Sequence, residues 1–251
     1  MKIALLIEYD GKDFAGWQVQ PDVRTVQGEI ESAFTKILQQ KIPVTASGRT
    51  DTGVHAHGMV AHARIEEIKF GLEKLAEALN AESAQDIVIH SIREVPEDFH
   101  ARFSAVDREY RYTIIRKRTA IERDATWYVR GDLNLDAMKS CVDALIGDHD
   151  FTSFSKLSDD VEHYRCLVNL CSLETQGDKL IFTIRANRFV RGMVRALVGS
   201  IVEVGKSKLN FDNWKHLLTN PIELDRARYI APAQGLTLWK IRYPQEFHLW
   251  E

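Results

Sequence analysis

Long apolar runs are absent from this 251-residue sequence. The apolar run nearest the N-terminus, residues 3–7, ends at Glu8, which is shorter than the roughly 7–15 residues of a signal-peptide core. No stretch reaches the roughly 18–20 uninterrupted apolar residues of a membrane span. We therefore expect a cytoplasmic protein with no membrane partner.

Cysteine is also scarce, and glycine and proline are not abundant. The three cysteines, Cys141, Cys166 and Cys171, form no C-x-x-C pair, so we expect inert thiols in a reducing compartment rather than a disulfide framework. With 14 glycines, 6 prolines and 9% aromatic residues, the composition excludes collagen-like and disordered classes. The formal charge of −3 leaves room for one basic face that binds nucleic acid.

The hydrophobic pattern divides the chain into two α+β halves, residues 1–105 and 106–251. In the first half it predicts strands at 3–8, 59–65 and 87–95. A helix capped by Thr25 carries apolar residues at 26, 30, 33, 37 and 38, and a shorter helix carries Leu72, Leu75 and Leu79. The order is strand, helix, strand, helix, strand.

The second half repeats this order of strands and helices, except that a hairpin of two strands takes the place of the middle strand. Strands are predicted at 110–115, 166–173, 179–186 and 236–243, and Gln176-Gly177-Asp178 provides the turn between the middle two. One helix spans apolar positions 135–146 and ends near Gly147, and another spans positions 190–201 and ends near Gly205. These elements predict an α+β fold with helices on one sheet face.

Basic residues concentrate in two segments of the second half. The first holds Arg108, Arg111, Arg116, Lys117 and Arg118. The second holds Arg185, Arg188, Arg191 and Arg195 and has no acidic residue from 184 to 196. On the second predicted helix, Arg188, Arg191 and Arg195 would form one stripe beside the apolar face. A solvated charged face is the common explanation of such a run, but the missing acids favour anion binding, with the salt dependence that phosphate contacts bring.

The segment Ser47-Gly48-Arg49-Thr50-Asp51-Thr52-Gly53-Val54-His55 predicts an irregular loop that presents Asp51. A turn in which Asp51 caps the backbone is the ordinary interpretation of such a segment. The functional interpretation is a carboxylate kept ionised by a cation, Arg49 or Arg195, for use as a nucleophile or base.

The histidine pattern does not indicate a metal site, and the sequence lacks the common motifs of nucleotide-binding proteins and serine hydrolases. His55 and His57 would point to the same side of an extended chain, with His62 nearby, but a metal site also needs a third ligand and an open position. No second cluster of Cys, His, Asp or Glu has metal-ligand spacing, so we expect no metal site. The P-loop, the G-x-G-x-x-G fingerprint and G-x-S-x-G are all absent, which argues against nucleotide cofactors and serine hydrolase chemistry. Tyr110 and Tyr112 share one strand face, either as packing residues or, beside arginines, as rings that stack on a base.

A set of ordered motifs across most of the chain resembles the tRNA pseudouridine synthase A family. The motifs are Tyr9-Asp10-Gly11, Phe14-Ala15-Gly16-Trp17-Gln18, Thr25-Val26-Gln27-Gly28, Gly48-Arg49-Thr50-Asp51, Gly53-Val54-His55-Ala56, Asp98-Phe99-His100-Ala101-Arg102-Phe103, Arg108-Glu109-Tyr110-Arg111-Tyr112, His149-Asp150-Phe151, Asn187 through Phe189 to Met193-Val194-Arg195, and Gly235-Leu236. The Gly-Arg-Thr-Asp segment is the most specific of them.

The resemblance implies isomerisation of uridine to pseudouridine at positions 38, 39 and 40 of the tRNA anticodon stem-loop, with no cofactor or metal. It implies Asp51 as the nucleophile, Tyr110 as a residue that contacts the target uracil, and Arg195 as the partner that keeps Asp51 charged. Arg49 would position the flipped nucleotide or its phosphate.

The resemblance also implies an architecture and a partner. The family is similar in fold to two ferredoxin-like α+β halves that share one extended, mainly antiparallel sheet with an active-site cleft between them, and it works as a homodimer that grips one tRNA. RNA contacts would come from Arg188, Arg191, Arg111 and Arg165. Arg188 stands where the family more often has a small residue, and Gly192 where it has a polar or aromatic one.

Two alternative functions would also explain the basic residues, and neither requires Asp51. One is a non-catalytic RNA-binding or RNA-folding module, and the other is an anion-binding domain unrelated to RNA. Only catalysis requires the carboxylate of Asp51.

Overall fold

The structure is a computed structural model that describes residues 1–66, 68–159, 161–222 and 230–250. The chain forms two compact units, one from Met1–Val106 with Thr237–Glu251 and one from Asp107–Leu236. The first unit therefore also takes in the C-terminal residues from Thr237 onward, which the sequence pattern had grouped with the second half. The mixed α+β composition and the mainly antiparallel pairing are as predicted.

In the first unit the strands follow the order β4-β1-β3-β10. The elements are β1 (Lys2–Tyr9), α1 (Val26–Leu38), β2 (Thr45–Ala46), β3 (His55–Arg64), α2 (Leu72–Glu82), β4 (Ile87–Glu94) and β10 (Leu236–Arg242). Strand β1 pairs antiparallel with both β3 and β4, while β10 runs parallel to β3 from Thr237 opposite His55. The short β2 pairs with the distal part of β3.

Helix α1 begins where its sequence predicts. The Thr25 hydroxyl accepts a hydrogen bond from the Gly28 amide at 3.3 Å, which satisfies one of the amides that a helix leaves without a partner at its N-terminus. Val26, Ile30, Ala33 and Phe34 are buried, and their spacing places them on one helix face. The fully buried side chains of β1 supply much of the remaining core of this unit.

In the second unit the strand order is β5-β9-β8-β7, and β6 pairs parallel with β5. The elements are β5 (Asp107–Ile115), β6 (Trp127–Tyr128), α3 (Leu135–Ala144), β7 (Gly147–Asp150), β8 (Arg165–Gln176), β9 (Lys179–Ala186), α4 (Met193–Gly205) and α5 (Phe211–Thr219). The predicted hairpin between β8 and β9 is confirmed, with Gly177 at φ +60° in its turn. Helix α3 packs against α4, α5 and β8.

Helix α4 corrects one expectation about the arginines. It begins only at Met193, because Gly192 adopts φ +77° as its N-cap and breaks the right-handed path of the chain. Arg188 and Arg191 therefore precede the helix, and only Arg195 lies on it. The predicted helical stripe of Arg188, Arg191 and Arg195 is wrong.

No helix in the described part of the chain is both long enough and apolar enough to cross a membrane.

Candidate active site

The predicted Asp51 loop lies in the first unit, between β2 and β3. Its backbone turns where the Val54 amide donates to the Asp51 carbonyl oxygen at 3.1 Å, with Gly53 at φ +76°. Thr50 and Val54 are buried on either side, whereas Asp51 is half-buried and Arg49 is exposed. The loop thus buries its flanks and leaves the carboxylate within reach of solvent.

Residues 9–17 form a second segment that holds this loop. The Tyr9 hydroxyl lies 2.7 Å from the Thr50 hydroxyl, and the Trp17 amide donates to the Thr50 carbonyl oxygen at 3.2 Å. The Gly53 amide donates to the Phe14 carbonyl oxygen at 3.3 Å. These hydrogen bonds attach Thr50 and Gly53, on either side of Asp51, to the segment of residues 9–17.

Two glycines allow the close approach of these segments. A Cβ atom on Gly11 would lie 2.0 Å from the carbonyl oxygen of Val54, and one on Gly16 would lie 2.7 Å from that of Thr50. Gly16 also adopts φ +101°, which side chains disfavour. The glycines in the Tyr9-Asp10-Gly11 and Phe14-Ala15-Gly16-Trp17 motifs therefore have a direct structural purpose.

His55, His57 and His62 occupy different environments in this unit. His55 is buried, with Nδ1 3.1 Å from the Gly11 nitrogen and 3.0 Å from an Asp10 carboxylate oxygen, while His57 stacks on Trp239. Burial, with the nearby charges of His100 and Lys2, lowers the pKa of His62 to about 4. Within the residues that the structure describes, no group of three or more His, Cys, Asp or Glu side chains is arranged to hold a metal ion.

Tyr110 and Tyr112 lie in the second unit on β5 and differ in burial. The ring of Tyr112 is fully buried and its hydroxyl donates to the Pro232 carbonyl oxygen at 2.8 Å. Burial raises the pKa of the Tyr112 phenol far above its usual value, against the opposing charge of Arg195. Tyr110 is only half-buried and meets the edge of the Phe189 ring at 5.0 Å between centroids. Tyr112 is thus a structural phenol, and Tyr110 retains an accessible surface.

Arg195 lies in the first turn of α4 and is half-buried. Its Nε donates to the Ala231 carbonyl oxygen at 2.8 Å, and the Ala231 amide donates back to the Arg195 carbonyl oxygen at 3.0 Å. The Nε donor of the guanidinium group is therefore directed by the backbone of a neighbouring segment.

The remaining predicted RNA-binding arginines lie in the second unit with distinct partners. Arg191 is exposed, and its carbonyl oxygen accepts from the Lys156 amide at 2.7 Å. Arg111 on β5 lies 3.5 Å from the buried Glu109 carboxylate. Arg188 is half-buried, close enough to Cys166 for its charge to act on that thiol.

Arg165 is exposed at the start of β8 and forms an ion pair. Its guanidinium group lies 2.8 Å from Asp148 on β7, and this hydrogen bond raises the pKa of the arginine. Both residues line a surface depression of about 360 Å³ with His149, Asp150 and Leu218. Phosphate would have to compete with Asp148 for this guanidinium group.

The first unit supplies an accessible carboxylate on a fixed loop, and the second unit supplies an accessible tyrosine and a cation held by backbone contacts. Asp51 and Arg49 belong to the first unit, and Tyr110, Arg111, Arg165, Arg188, Arg191 and Arg195 belong to the second. Carboxylates of this kind act as nucleophiles or bases. Sequence reasoning assigned no role to Tyr9 or Thr50, although both lie in the quoted motifs.

Comparison with known proteins identifies the family. A sequence model described as tRNA pseudouridine synthase matches residues 5–104 and 141–244. The tRNA pseudouridine synthase A of Parabacteroides distasonis is 38% identical over 242 residues, which cover 96% of this chain and 96% of that protein.

Two further relatives with the same name align over almost their whole length. The protein of Halalkalibacterium halodurans is 41% identical and the alignment covers 94% of this chain and 90% of the relative. The protein of Listeria monocytogenes serotype 4a is also 41% identical, with 95% and 97% covered. The chain belongs to the tRNA pseudouridine synthase family, whose members are RNA-modifying isomerases.

Proposed function

We propose that this protein converts uridine to pseudouridine at positions 38, 39 and 40 of the tRNA anticodon stem-loop, with the Asp51 carboxylate as nucleophile. The observation that carries the proposal is the Asp51 loop itself. It lies within the matched family region, its flanks Thr50 and Val54 are buried, and Asp51 alone of the three retains solvent access.

The reaction explains why a carboxylate is needed. The bond between C1′ and N1 breaks, the uracil turns, and a bond forms between C5 and C1′. C5 then loses its proton and N1 gains one, so that the product is an isomer of the substrate. A carboxylate can trap or stabilise the cationic sugar, promote removal of a sugar proton, or add to the base. In each of these routes the group has to be ionised and held close to the ribose or the base.

Tyr110 and Arg195 are proposed to complete the chemistry. The half-buried Tyr110 contacts the target uracil and assists loss of the C5 proton. Arg195 supplies the positive charge that keeps a carboxylate ionised. The support for Arg195 is that the Ala231 carbonyl oxygen fixes the direction of its guanidinium group.

Arg49, Arg111, Arg165, Arg188 and Arg191 are proposed to bind the RNA. The target uridine lies in or beside a stem, so it has to leave its stack at a cost of about a few kcal/mol. Contacts from these arginines to phosphates offset that cost. We further propose that the protein acts as a homodimer on one tRNA, without metal or nucleotide cofactor, in the cytoplasm.

The test is release of tritium to water from tRNA labelled at uridine C5. Wild-type protein should release tritium, and both Asp51→Ala and tRNA lacking uridine at positions 38–40 should abolish the release. Asp13→Ala, which removes an exposed carboxylate of the same unit, is the matched control and should retain activity. Undiminished release by a folded Asp51→Ala variant would overturn the assignment.

Binding without catalysis is the second candidate, favoured by the absence of acidic residues from 184 to 196. A non-catalytic RNA-binding or RNA-folding module would bind tRNA with the same salt dependence but release no tritium. The tritium assay and a filter-binding assay together distinguish the two functions.

A further inference from the structure

Thr50, the residue immediately before Asp51, has a buried hydroxyl with a single defined partner from a distant segment. Thr50 is 8% exposed and Tyr9, the last residue of β1, is 3% exposed. Their hydroxyl oxygens are 2.7 Å apart and the two residues are 41 positions apart in sequence. Losing one hydroxyl would leave the other without this partner in a buried place, which disfavours the observed arrangement.

The Thr50 main chain is held as well as its side chain. Its carbonyl oxygen accepts a hydrogen bond from the Trp17 amide at 3.2 Å. The ring of Tyr9 in turn contacts the rings of Phe14 and Trp17, with centroids 6.4 and 6.1 Å away. The hydroxyl that meets Thr50 is therefore mounted on a packed aromatic cluster.

The fixed residue lies one peptide bond from the reacting group. The Asp51 side chain begins at a Cα atom whose position follows that of Thr50, so a rotation at Thr50 moves the carboxylate directly. Displacement of a reacting group by about 1 Å can lower a rate by about 100-fold.

We infer that Tyr9 and Thr50 are positioning residues, whose buried hydrogen bond holds the Asp51 carboxylate where uridine reacts. The inference rests on the proposed role of Asp51. It assigns to the Tyr9-Asp10-Gly11 motif a role in catalysis that acts through Thr50, without contact to the substrate.

Four variants separate positioning from a contribution to folding. Tyr9→Phe and Thr50→Val each remove one hydroxyl, and the double variant removes both. Thr50→Ser keeps the hydroxyl and therefore retains the hydrogen bond to Tyr9. Because replacement of both partners by apolar groups can be nearly neutral for stability, the double variant is expected to unfold close to the wild-type temperature while it still lacks the bond.

The readout is kcat and KM for tRNA in the tritium-release assay, with the unfolding temperature measured alongside. We expect kcat to fall by about 10- to 100-fold in Tyr9→Phe, Thr50→Val and the double variant, with KM unchanged. The double variant should be no slower than the slower single variant, and Thr50→Ser should recover most of kcat.

Tyr243→Phe is the matched control, because the Tyr243 hydroxyl donates to the carbonyl oxygen of Ala101, in the same unit but in a segment other than the Asp51 loop, at 2.7 Å. It should retain wild-type kcat. A double variant with wild-type kcat would overturn the inference and leave a structural role. If Asp51→Ala is inactive while Tyr9→Phe is fully active, this inference alone fails. If Asp51→Ala is active, the proposed function fails.

Discussion

Arg195 and Ala231 exchange two hydrogen bonds, one from the Arg195 Nε to the Ala231 carbonyl oxygen at 2.8 Å and one from the Ala231 amide to the Arg195 carbonyl oxygen at 3.0 Å. The adjacent Pro232 accepts the Tyr112 hydroxyl. The start of α4 and the strand β5 are thus joined through residues 231–232. This junction gives Arg195 two separable properties, a positive charge and a structural anchor.

Substitution of Arg195 distinguishes the charge from the anchor. Arg195→Lys keeps the charge, whereas Arg195→Gln keeps a hydrogen-bond donor and removes the charge. If the charge serves catalysis, kcat should fall by about 100-fold or more in Arg195→Gln and clearly less in Arg195→Lys. Tritium-release kinetics provide the measurement. Equal activity of the two variants would instead assign Arg195 to the anchor.

Substitution by alanine is expected to destabilise the protein at Gly11 and to leave its stability almost unchanged at Gly48. In Gly11→Ala the added methyl group meets the Val54 carbonyl oxygen at 2.0 Å, and overpacking of this kind typically costs about 1–3 kcal/mol. In Gly48→Ala the methyl group meets nothing within 4 Å, so the free energy of unfolding should change by no more than about 0.5 kcal/mol. Urea denaturation measures both. A stable Gly11→Ala protein would mean that residues 9–17 can move away from the loop.

Regular elements could be predicted where the period of apolar residues and the capping signals agree. Helix α1 has both, with a Thr25 cap and buried residues at helical spacing, and the hairpin of β8 and β9 has a turn signal between two alternating segments. Such signals are local, so a single sequence carries them. The α+β class follows from the order of these elements.

Short or weakly patterned elements escaped prediction. Strands β2 and β6 contain two residues each, too few to show a period. Helix α5 buries only Trp214 and Leu218, and the Trp214 indole donates to the Ser200 hydroxyl on α4 at 2.9 Å. That helix is stabilised by a tertiary partner, which local patterning does not reveal.

The loop that carries Asp51 could be predicted from its motif, but the contacts that hold this loop could not. Asp51 stood out through its motif, and the structure places it on the expected loop. The hydrogen bond from Tyr9 to Thr50 joins residues far apart in sequence, so no local rule could find it. The start of α4 was misjudged because apolar periodicity continues back through Val190, while the positive φ of Gly192 delays the helix to Met193.

The lowered pKa of His62 leads us to expect that the folded protein loses stability at acidic pH. Its pKa in the folded protein is about 4, below the roughly 6.5 of an unfolded chain, and its Nδ1 accepts the Ala101 amide at 3.2 Å. The unfolded state binds a proton first, so the contribution of neutral His62 is complete above about pH 6.5 and declines as the pH falls toward 4. Unfolding temperatures between pH 7 and 4.5 should fall less in His62→Gln than in wild type.

The control for this prediction is His57→Gln, which changes the histidine that stacks on Trp239. Glutamine at position 62 retains an acceptor for the Ala101 amide but does not titrate in this range. An identical pH slope for His62→Gln and wild type would contradict the proposed linkage.

We expect Arg191 to make a salt-dependent contribution to tRNA binding. It is exposed in the turn before α4, in a segment without acidic residues from 184 to 196. A phosphate contact releases counterions, so Arg191→Ala should weaken binding across tRNAs and reduce the slope of log K against log salt by about 1. Arg123→Ala is the matched control, since that exposed arginine already lies 3.5 Å from Asp124, and its slope should match wild type. Filter binding at several salt concentrations gives the slopes, and an unchanged slope in Arg191→Ala would remove Arg191 from the RNA-binding surface.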